Sequence, residues 1–284
     1  MKYDCIAAFG CSFVHGDAIY GGEDVRHTNA PTEFVGDKYR FSKILADHYN
    51  IPEINIAKPG FSNESILRSI FKFFDNYSET YKTPLVLIGT SGLARKEVYS
   101  NHHECFFDIH QLEKFYHTDE ERYIKAARDM ALKLTGNINN TDKLKNFVNF
   151  NMKYFFKQEI EEEKLNWQLT FLIGFLNNKK IPYILFNSIE DIISDKVKQT
   201  SNYLSFNYNT NKTNIKREGF YQVNSDCWYT DLYTKHAEKY GGWESGSRSM
   251  FKPYGEFACG GHPSPGSHKN LANKILKYID ENNI

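Results

Sequence analysis

A serine and a histidine near opposite ends of the chain are the residues whose surroundings best suit catalysis. Ser12 lies in the stretch FGCSFVHGD, directly after the apolar run at residues 3–9, and a serine at such a turn can present its hydroxyl to a ligand. The backbone N–H groups of the turn can also point towards a bound anion. A serine at such a turn is more often an ordinary turn or capping residue than a nucleophile. A serine nucleophile also needs a base, so the case for Ser12 depends on finding one.

The stretch CGGHPSPGSH distinguishes one of the ten histidines as a candidate base. His262 lies there in a loop that glycine and proline residues restrain, just before the last amphipathic segment. A base on a stiff loop keeps the orientation that proton transfer demands. In the alternative interpretation, His262 only precedes a turn whose Ser264 caps the next helix, and His268 is a packing or helix-surface residue.

Short apolar runs alternate with helical periodicity, which predicts the elements that position these residues. Strands are expected at 3–9, 53–57, 84–88 and 182–186. Helices are expected at 39–49, after Asn63 as a possible cap, and at 119–134, 151–178 and 266–281, with Phe155 and Ile160 among the inward-facing residues of the fourth. Such alternation predicts an α/β fold with a mostly parallel sheet covered on both faces, with insertions at about 95–150 and 201–257. Ligands bind these sheets at the carboxyl ends of strands. The turns with Ser12, Gly60 and Ser91 each follow a predicted strand, so they should open onto one edge.

Composition limits the partners that the protein can have. The 35 basic and 35 acidic side chains give a formal net charge of +0, which argues against broad electrostatic binding to nucleic acid or to an anionic membrane. No run approaches the roughly 20 apolar residues of a membrane span, and the opening MKYDCIAAFGCSF lacks the pattern of a signal peptide. Five cysteines without a CxxC pair fit a reducing compartment. We therefore expect a soluble cytoplasmic protein, and the oligomeric state stays open.

Three other groups of residues suggest chemistry less strongly. Cys11 is next to the exposed turn position, so its thiol should point into the core, and a Cys–His enzyme is a minor alternative. The aromatic residues between Trp228 and Trp243 form either a surface that stacks on sugars or a satellite core. A polar stretch contains residue types that bind metals, but not at the spacing of a metal site, so we expect a solvated loop and no metal ion or cofactor: His102, His103, Cys105, Asp108, His110 and His117.

Four short motifs follow the order in which SGNH (GDSL-like) hydrolases carry their conserved blocks, and the chain resembles that family. FGCSFVHGD is similar to the nucleophile block, NIAKPGFSN to the second block, IGTSG to the third and GGHPSPGSH to the last. The resemblance spans nearly the whole chain, through motifs that long insertions separate. It implies a three-layer α/β/α sandwich of flavodoxin-like type, formed as a single domain by residues 1–284 with two insertions.

The resemblance also implies a role for each candidate residue. Ser12 would be the nucleophile, His262 its base, and the backbone N–H groups of Gly60 and Ser12 would bind the oxyanion. Ser91 stands where the family has an asparagine, so a hydroxyl of Ser91 or of Thr90 would be the third oxyanion donor. Loss of one such donor typically costs on the order of 100-fold or more in rate.

One departure from the family concerns the acid of the triad. Cys259 occupies the place of the triad aspartate, three residues before His262, and a neutral thiol cannot stabilise an imidazolium as a carboxylate does. A backbone carbonyl could orient the ring in a Ser–His dyad, as the resemblance implies for some family members, and we favour this solution. A carboxylate from elsewhere, such as Glu256, or the loss of catalysis are the alternatives.

The activity that the resemblance implies is hydrolysis of carboxylic esters through an acyl-enzyme. The expected substrate is a small-molecule ester or an acylated glycan that loses its O-acyl groups. An acyltransferase would use the same site with an alcohol in place of water. A non-catalytic binding or structural protein would keep the fold without the reaction.

Overall fold

The computed structural model describes residues 2–17, 36–110, 121–206, 226–240 and 262–284 of the chain. In chain order these ranges contain β1 (Ile6–Phe9), α1 (Ser12–His15), α2 (Gly36–Tyr39), α3 (Phe41–Tyr49), β2 (Glu53–Asn55), α4 (Asn63–Tyr77), β3 (Leu85–Thr90), β4 (Arg95–Ser100), β5 (Cys105–His110), α5 (Glu121–Thr135), a 3-10 turn (Ile138–Asn140), α6 (Thr141–Tyr154), α7 (Gln158–Asn178), β6 (Tyr183–Asn187), α8 (Asp195–Gln199), α9 (Trp228–Tyr240) and α10 (Pro265–Asn282). None of the helices in these ranges is long and apolar enough to cross a membrane.

Four parallel strands form the central sheet, in the order β2-β1-β3-β6. Ile6 of β1 is opposite Glu53 of β2 on one side and Leu85 of β3 on the other, and Val86 of β3 is opposite Tyr183 of β6. All residues of β1, β3 and β6 are buried. Short apolar runs buried on both faces are typical of parallel sheets, which explains why the sequence pattern predicted these strands.

Helices cover both faces of the sheet, so the fold is a three-layer α/β/α sandwich as expected. Alternate residues of β1 point to opposite sides: Ile6 and Ala8 pack with one apolar core, and Ala7 and Phe9 pack with the other. The first core includes the buried faces of α3, α9 and α10. The second includes those of α4 and α7.

The first insertion has more structure than the sequence predicted. Residues 95–110 form an antiparallel hairpin of β4 and β5, followed by α5, which confirms the helix expected at 119–134. A separate small apolar core holds this region together, formed by Ile109, Ala127, Ala131, Leu144 and Val148.

The prediction of one long helix over 151–178 is wrong. Helix α6 ends at Tyr154, where the N–H groups of Phe155 and Phe156 both donate to the Asn151 carbonyl, and α7 begins at Gln158. Phe155 and Ile160, which we expected inside, are 66% and 50% exposed. Leu169, Leu172, Ile173 and Leu176 of α7 are buried as predicted.

The second insertion also contains a helix that the sequence pattern did not reveal. We expected irregular structure over 201–257, but α9 begins at Trp228, and the side chains of Trp228 and Tyr229 are buried in the first of the two sheet cores. These two aromatic residues are therefore core residues. Trp243 lies outside the described residues.

Candidate active site

The strand order places Ser12 between the other two predicted site turns. Strand β1 lies between β2 and β3, and all three run parallel. Ser12 follows the end of β1, the turn with Gly60 follows β2, and Ser91 follows β3 directly. The structure thus brings Ser12, Gly60 and Ser91 to one edge of the sheet, at the point where the chain changes direction across the sheet, the usual place for a ligand in this type of fold.

Close packing fixes the turn from β1 to Ser12. A Cβ atom on Gly10 would lie 2.3 Å from Val14 Cγ2 and 3.0 Å from the Gly89 carbonyl oxygen, so only glycine fits there. Cys11 is fully buried and belongs to the apolar core, as expected for a thiol that points away from the edge. Ser12 is 4% exposed and begins the short helix α1.

Backbone hydrogen bonds also hold the end of this turn that follows Ser12. Gly16, in the left-handed region at a φ of 80°, donates its N–H to the Ser12 carbonyl at 3.2 Å, and the Asp17 N–H donates to the same oxygen at 3.0 Å. The amide of Asn55 donates to the Val14 carbonyl at 3.1 Å. Ser12 is therefore held by β1 before it, by β2 beside it and by the turn at Asp17 after it.

The turn after β2 presents Gly60 beside Ser12. The Lys58 N–H donates to the Gly10 carbonyl at 3.3 Å, and the Phe61 N–H donates to the Lys58 carbonyl at 3.2 Å. Gly60 has a φ of +87°, and a Cβ there would meet nothing within 4 Å, so the backbone conformation and not crowding calls for glycine. In the part of the chain that the structure describes, neither the Gly60 N–H nor the Ser12 N–H donates a hydrogen bond. Both N–H groups are therefore candidate donors to a ligand.

The turn after β3 is tied to the start of α4. Asn63 Oδ1 accepts from the Ser91 N–H at 2.8 Å, and Asn63 Nδ2 donates to the Ser91 carbonyl at 3.1 Å. Ser91 is fully buried, and its hydroxyl accepts from Arg95 Nη1 at 2.8 Å. The Thr90 hydroxyl donates to Asn187 Oδ1 at 3.1 Å. Both hydroxyls considered as oxyanion donors are thus engaged in contacts inside the protein.

Asn63 does not cap α4, which corrects the sequence prediction. Ser62 is the N-cap, and its hydroxyl accepts from the Ser65 N–H at 3.2 Å. Asp108 of the hairpin accepts from the Ser62 N–H at 2.8 Å and from the Ser65 hydroxyl. Asp108 is therefore a partner of the α4 terminus, and among the described residues no group of three or more His, Cys, Asp or Glu side chains is placed to hold a metal ion.

A pair of opposite charges lies beside the Ser91 turn. Arg95 Nη1 also approaches the Phe61 carbonyl at 3.4 Å, so this guanidinium bridges the turns after β2 and β3. Glu190, after β6, accepts from the Leu93 N–H at 3.0 Å. Burial raises the pKa of the Glu190 carboxyl, while the Leu93 N–H and the charge of Arg95 act in the opposite direction. These contacts tie the turn after β3 to the turn after β2 and to the segment after β6.

His262 lies against the turn that carries Ser12. Its ring centroid is 5.7 Å from that of Phe13, the residue after Ser12, and its Nε2 is 3.7 Å from Asp17 Oδ2. The side chain of His262 is 22% exposed, so solvent and a ligand can reach it. The two predicted catalytic residues, 250 positions apart in the sequence, therefore adjoin the same short helix.

The start of α10 determines where His262 lies. Ser264 caps the helix by accepting from the Ser267 N–H at 3.2 Å, and Pro265 occupies the first turn. His268 is fully buried, stacks on the Phe41 ring at 5.9 Å and accepts from the Phe41 N–H at its Nδ1 atom at 3.2 Å. Burial lowers the pKa of His268 to about 3, so this histidine is a neutral packing residue. It anchors α10 to α3 and leaves His262 at the edge.

An aromatic cluster connects the Ser12 turn with α9. The ring of Phe13 is 5.9 Å from that of Trp228 and 5.6 Å from that of Tyr229. The Tyr229 N–H donates to the Ser188 carbonyl at the end of β6 at 3.0 Å. The wall beside Ser12 is thus built from aromatic residues that reach it from a distant part of the chain.

Asp17 is the site residue that sequence reasoning missed. Our search for a carboxylate considered the segment before His262, and both Cys259 and Glu256 lie outside the described residues. Asp17 ends the nucleophile motif FGCSFVHGD itself, but no sequence pattern states that the turn brings its carboxylate to a histidine near the other end of the chain. Burial, with a smaller contribution from Arg40, lowers the pKa of the neighbouring His15, and the charge of Asp17 opposes this shift.

Comparison with known proteins gives matches among solved structures only. No family model and no curated protein sequence matches the chain. Over 98% of its length the chain is similar to an acetyl xylan esterase from the rumen bacterium Butyrivibrio proteoclasticus, with a TM-score of 0.44 and 11% identity. Over 97% of its length it is similar to a carbohydrate esterase whose active site displays divergent catalytic and non-catalytic binding functions, with a TM-score of 0.41 and 14% identity. The chain spans 63% and 64% of the lengths of these two proteins.

Proposed function

We propose that this protein hydrolyses carboxylic esters, with Ser12 as the nucleophile and His262 as its base. The observation that carries the proposal is the position of the His262 imidazole, which lies against the turn that begins at Ser12 through its contacts with Phe13 and Asp17. A hydroxyl at the end of a parallel strand and an imidazole against the same turn are the two groups that nucleophilic catalysis requires.

The reaction follows from the groups around Ser12. The Ser12 hydroxyl attacks the ester carbonyl carbon and transfers its proton to His262. The negative oxygen that forms accepts hydrogen bonds from the backbone N–H groups of Gly60 and Ser12, neither of which has a donor role elsewhere in the described residues. His262 then gives the proton to the departing alcohol, and water releases the acyl group from Ser12 by the same steps in reverse.

Ser91 supports the proposed site and is not assigned a direct contact with the substrate. Its side chain is fully buried and its hydroxyl accepts from Arg95, so we assign it the task of fixing the turn after β3. The link from Asn63 to the Ser91 backbone joins this turn to α4, which follows directly on the turn with Gly60.

The surroundings of Ser12 favour a small acyl group, such as an acetyl group on a carbohydrate. Ser12 is only 4% exposed, and the residue after it, Phe13, packs against the ring of Tyr229. The formal net charge of +0 provides no general attraction for a polyanionic substrate. An uncharged sugar with a small acyl group suits both the low exposure of Ser12 and the absence of a net charge on the protein.

Labelling with a fluorophosphonate probe tests the assignment of Ser12. We expect one label on the wild type and none on Ser12→Ala. Ser188→Ala is the matched control, because Ser188 is a buried serine at the end of the neighbouring strand β6 and should not affect labelling. A folded wild-type protein that takes no label would contradict the proposal and favour a non-catalytic binding protein.

Acyl-chain length and acceptor tests then define the reaction. We expect acetyl esters to be hydrolysed faster than butyryl esters, and acetylated xylo-oligosaccharides to release acetate, with both activities lost in Ser12→Ala and His262→Ala. If the acyl group passes to an added alcohol in preference to water, the same site serves an acyltransferase.

A further inference from the structure

We propose that Asp17 is the carboxylate that stabilises the imidazolium form of His262, so that the nucleophile turn supplies both the serine and the acid of the site. This inference rests on the proposed Ser12–His262 hydrolase. It names the group that takes over the task of the carboxylate absent at position 259.

The geometry allows a pair of opposite charges to form when His262 takes up a proton. Asp17 Oδ2 is 3.7 Å from His262 Nε2, which is too long for a hydrogen bond and short enough for a strong Coulomb interaction. The two side chains are 31% and 22% exposed, so water screens them less than it screens a surface pair. An imidazolium shares its positive charge between both ring nitrogens, so Asp17 stabilises it whichever nitrogen receives the proton of Ser12.

The backbone holds Asp17 in place before any substrate arrives. Its N–H donates to the Ser12 carbonyl at 3.0 Å, and the preceding Gly16 adopts the left-handed conformation that reverses the chain. The six residues from Ser12 to Asp17 therefore form one turn, which keeps the Asp17 backbone close to that of the nucleophile. Such preorganisation spares the reorganisation that a carboxylate on a separate loop would require.

In the described part of the chain, two further histidines act on this pair. His262 also faces His268, which is neutral because burial lowers its pKa to about 3. Asp17 also faces His15, whose pKa is lowered chiefly by burial and further by Arg40.

Arg40 also acts on both of these histidines, and two carboxylates of the described residues pair with it. Its Nε and Nη2 atoms donate to Glu53 at 2.7 Å each, and Nη1 donates to Asp37 at 2.5 Å. Glu53 and Asp37 therefore act on Arg40, and Asp17 is the carboxylate that is paired with His262 in the described part of the chain.

In the reaction, the proton passes only between Ser12, His262 and the departing alcohol. The Ser12 proton moves to His262 as the bond from Ser12 Oγ to the carbonyl carbon forms, and it leaves with the alcohol when the ester bond breaks. Asp17 lowers the energy of both states in which His262 carries the extra proton and takes no proton itself.

The test compares Asp17→Asn, which removes the charge at constant size, with Asp17→Glu, which keeps it. For Asp17→Asn we expect kcat to fall about tenfold to 100-fold with KM within about twofold, and the acidic limb of the kcat/KM–pH profile to move about one unit lower. Asp17→Glu should restore much of kcat and the position of the limb. Asp37→Asn is the matched control, because it removes a nearby carboxylate that contacts Arg40, and it should leave both readouts unchanged.

Two outcomes separate failure of this inference from failure of the proposed function. If Asp17→Asn keeps the wild-type kcat and pH profile while the probe still labels Ser12, the role of Asp17 is refuted and the hydrolase stands. If the wild type takes no label, the hydrolase itself fails. Raising the ionic strength provides a readout without any variant: the acidic limb of the wild type should move to lower pH as salt screens the pair, and an unmoved limb contradicts the role.

Discussion

The side-chain amide of Asn63 makes two hydrogen bonds to the backbone of Ser91, accepting from its N–H at 2.8 Å and donating to its carbonyl at 3.1 Å. Asn63 is the first residue of α4, and Ser91 is the first residue after β3. A single buried amide therefore joins the two turns that flank Ser12. This contact, together with the Arg95 bridge from the Phe61 carbonyl to the Ser91 hydroxyl, fixes the relative position of the two turns.

We expect Asn63→Ala to lower both stability and activity. Two backbone groups of Ser91 would lose their partner in a buried place, which costs about 1–3 kcal/mol in the free energy of unfolding. Displacement of the turns should lower kcat by on the order of tenfold to 100-fold, because catalysis is sensitive to shifts of about 1 Å. Urea unfolding and ester hydrolysis measure the two effects.

Asn166→Ala is the control for this prediction. Asn166 also bridges backbone groups, donating to the Ile192 carbonyl at 3.0 Å and accepting from the Ser194 N–H at 2.7 Å, but it lies on α7 away from Ser12. Its loss should reduce stability and spare kcat. Equal losses of kcat in both variants would show that the effect of Asn63 is only general destabilisation.

The central sheet and α10 were predictable because their residues follow simple patterns. The strands around Ala7, Leu87 and Ile184 are short apolar runs that are buried on both faces, and α10 carries Leu271 and Ile275 at helical spacing. The candidate site followed from the same logic, because parallel strands bring their carboxyl ends together. Knowledge of the strands was enough to place Ser12, Gly60 and Ser91 on one edge.

The remaining features depend on contacts that no local pattern records. The break between α6 and α7 occurs at Phe155–Lys157 without a glycine or proline, so its sequence resembles a continuous helix. Helix α9 buries Trp228 and Tyr229 where an amphipathic pattern usually has aliphatic residues. The approach of Asp17 to His262 is likewise a product of tertiary folding, because 245 residues separate the two.

Gly60→Ala tests the oxyanion role of the turn after β2. The φ of +87° puts an alanine in the left-handed region at a cost of about 1–2 kcal/mol, and relief of that strain would turn the N–H away. We expect kcat to fall on the order of 100-fold while KM changes little, because the N–H acts on the transition state. Steady-state kinetics with an acetyl ester provide the measurement.

Gly136→Ala serves as the comparison for Gly60→Ala. Gly136 also has a positive φ, +69°, but it lies in the first insertion, where an added Cβ would press on His102. The Gly136→Ala variant should be less stable than the wild type but should show no specific loss of kcat. If Gly60→Ala has a lower free energy of unfolding than the wild type but retains full kcat, the Gly60 N–H does not bind the oxyanion.

Ser91→Ala distinguishes a supporting hydroxyl from a direct oxyanion donor. Since the hydroxyl is buried and accepts from Arg95, we expect kcat to fall less than about tenfold. Thr90→Val should behave similarly, because the Thr90 hydroxyl donates to Asn187. A loss on the order of 100-fold in kcat alone, for either variant, would identify that hydroxyl as the third donor.

His268 should make the protein less stable in mild acid. Burial, then the charge of Arg40, then that of His262 lower its pKa from the usual 6.5 to about 3. Between these values the unfolded chain binds a proton that the folded protein does not, so stability is complete above pH 6.5 and declines as the pH falls towards 3. The free energy of unfolding at about pH 5 should be about 2 kcal/mol below that at about pH 7.5 from this residue alone.

Urea unfolding of His268→Leu at several pH values isolates this contribution. The variant loses the acceptor for the Phe41 N–H and should be about 1–3 kcal/mol less stable at neutral pH. Its stability should nevertheless decline less between neutral pH and pH 5, since the leucine takes up no proton. His48→Gln, a change at an exposed histidine, should keep the wild-type slope. A His268→Leu curve parallel to that of the wild type would mean that His268 is protonated in the folded state, and the neutral stack on Phe41 would then be wrong.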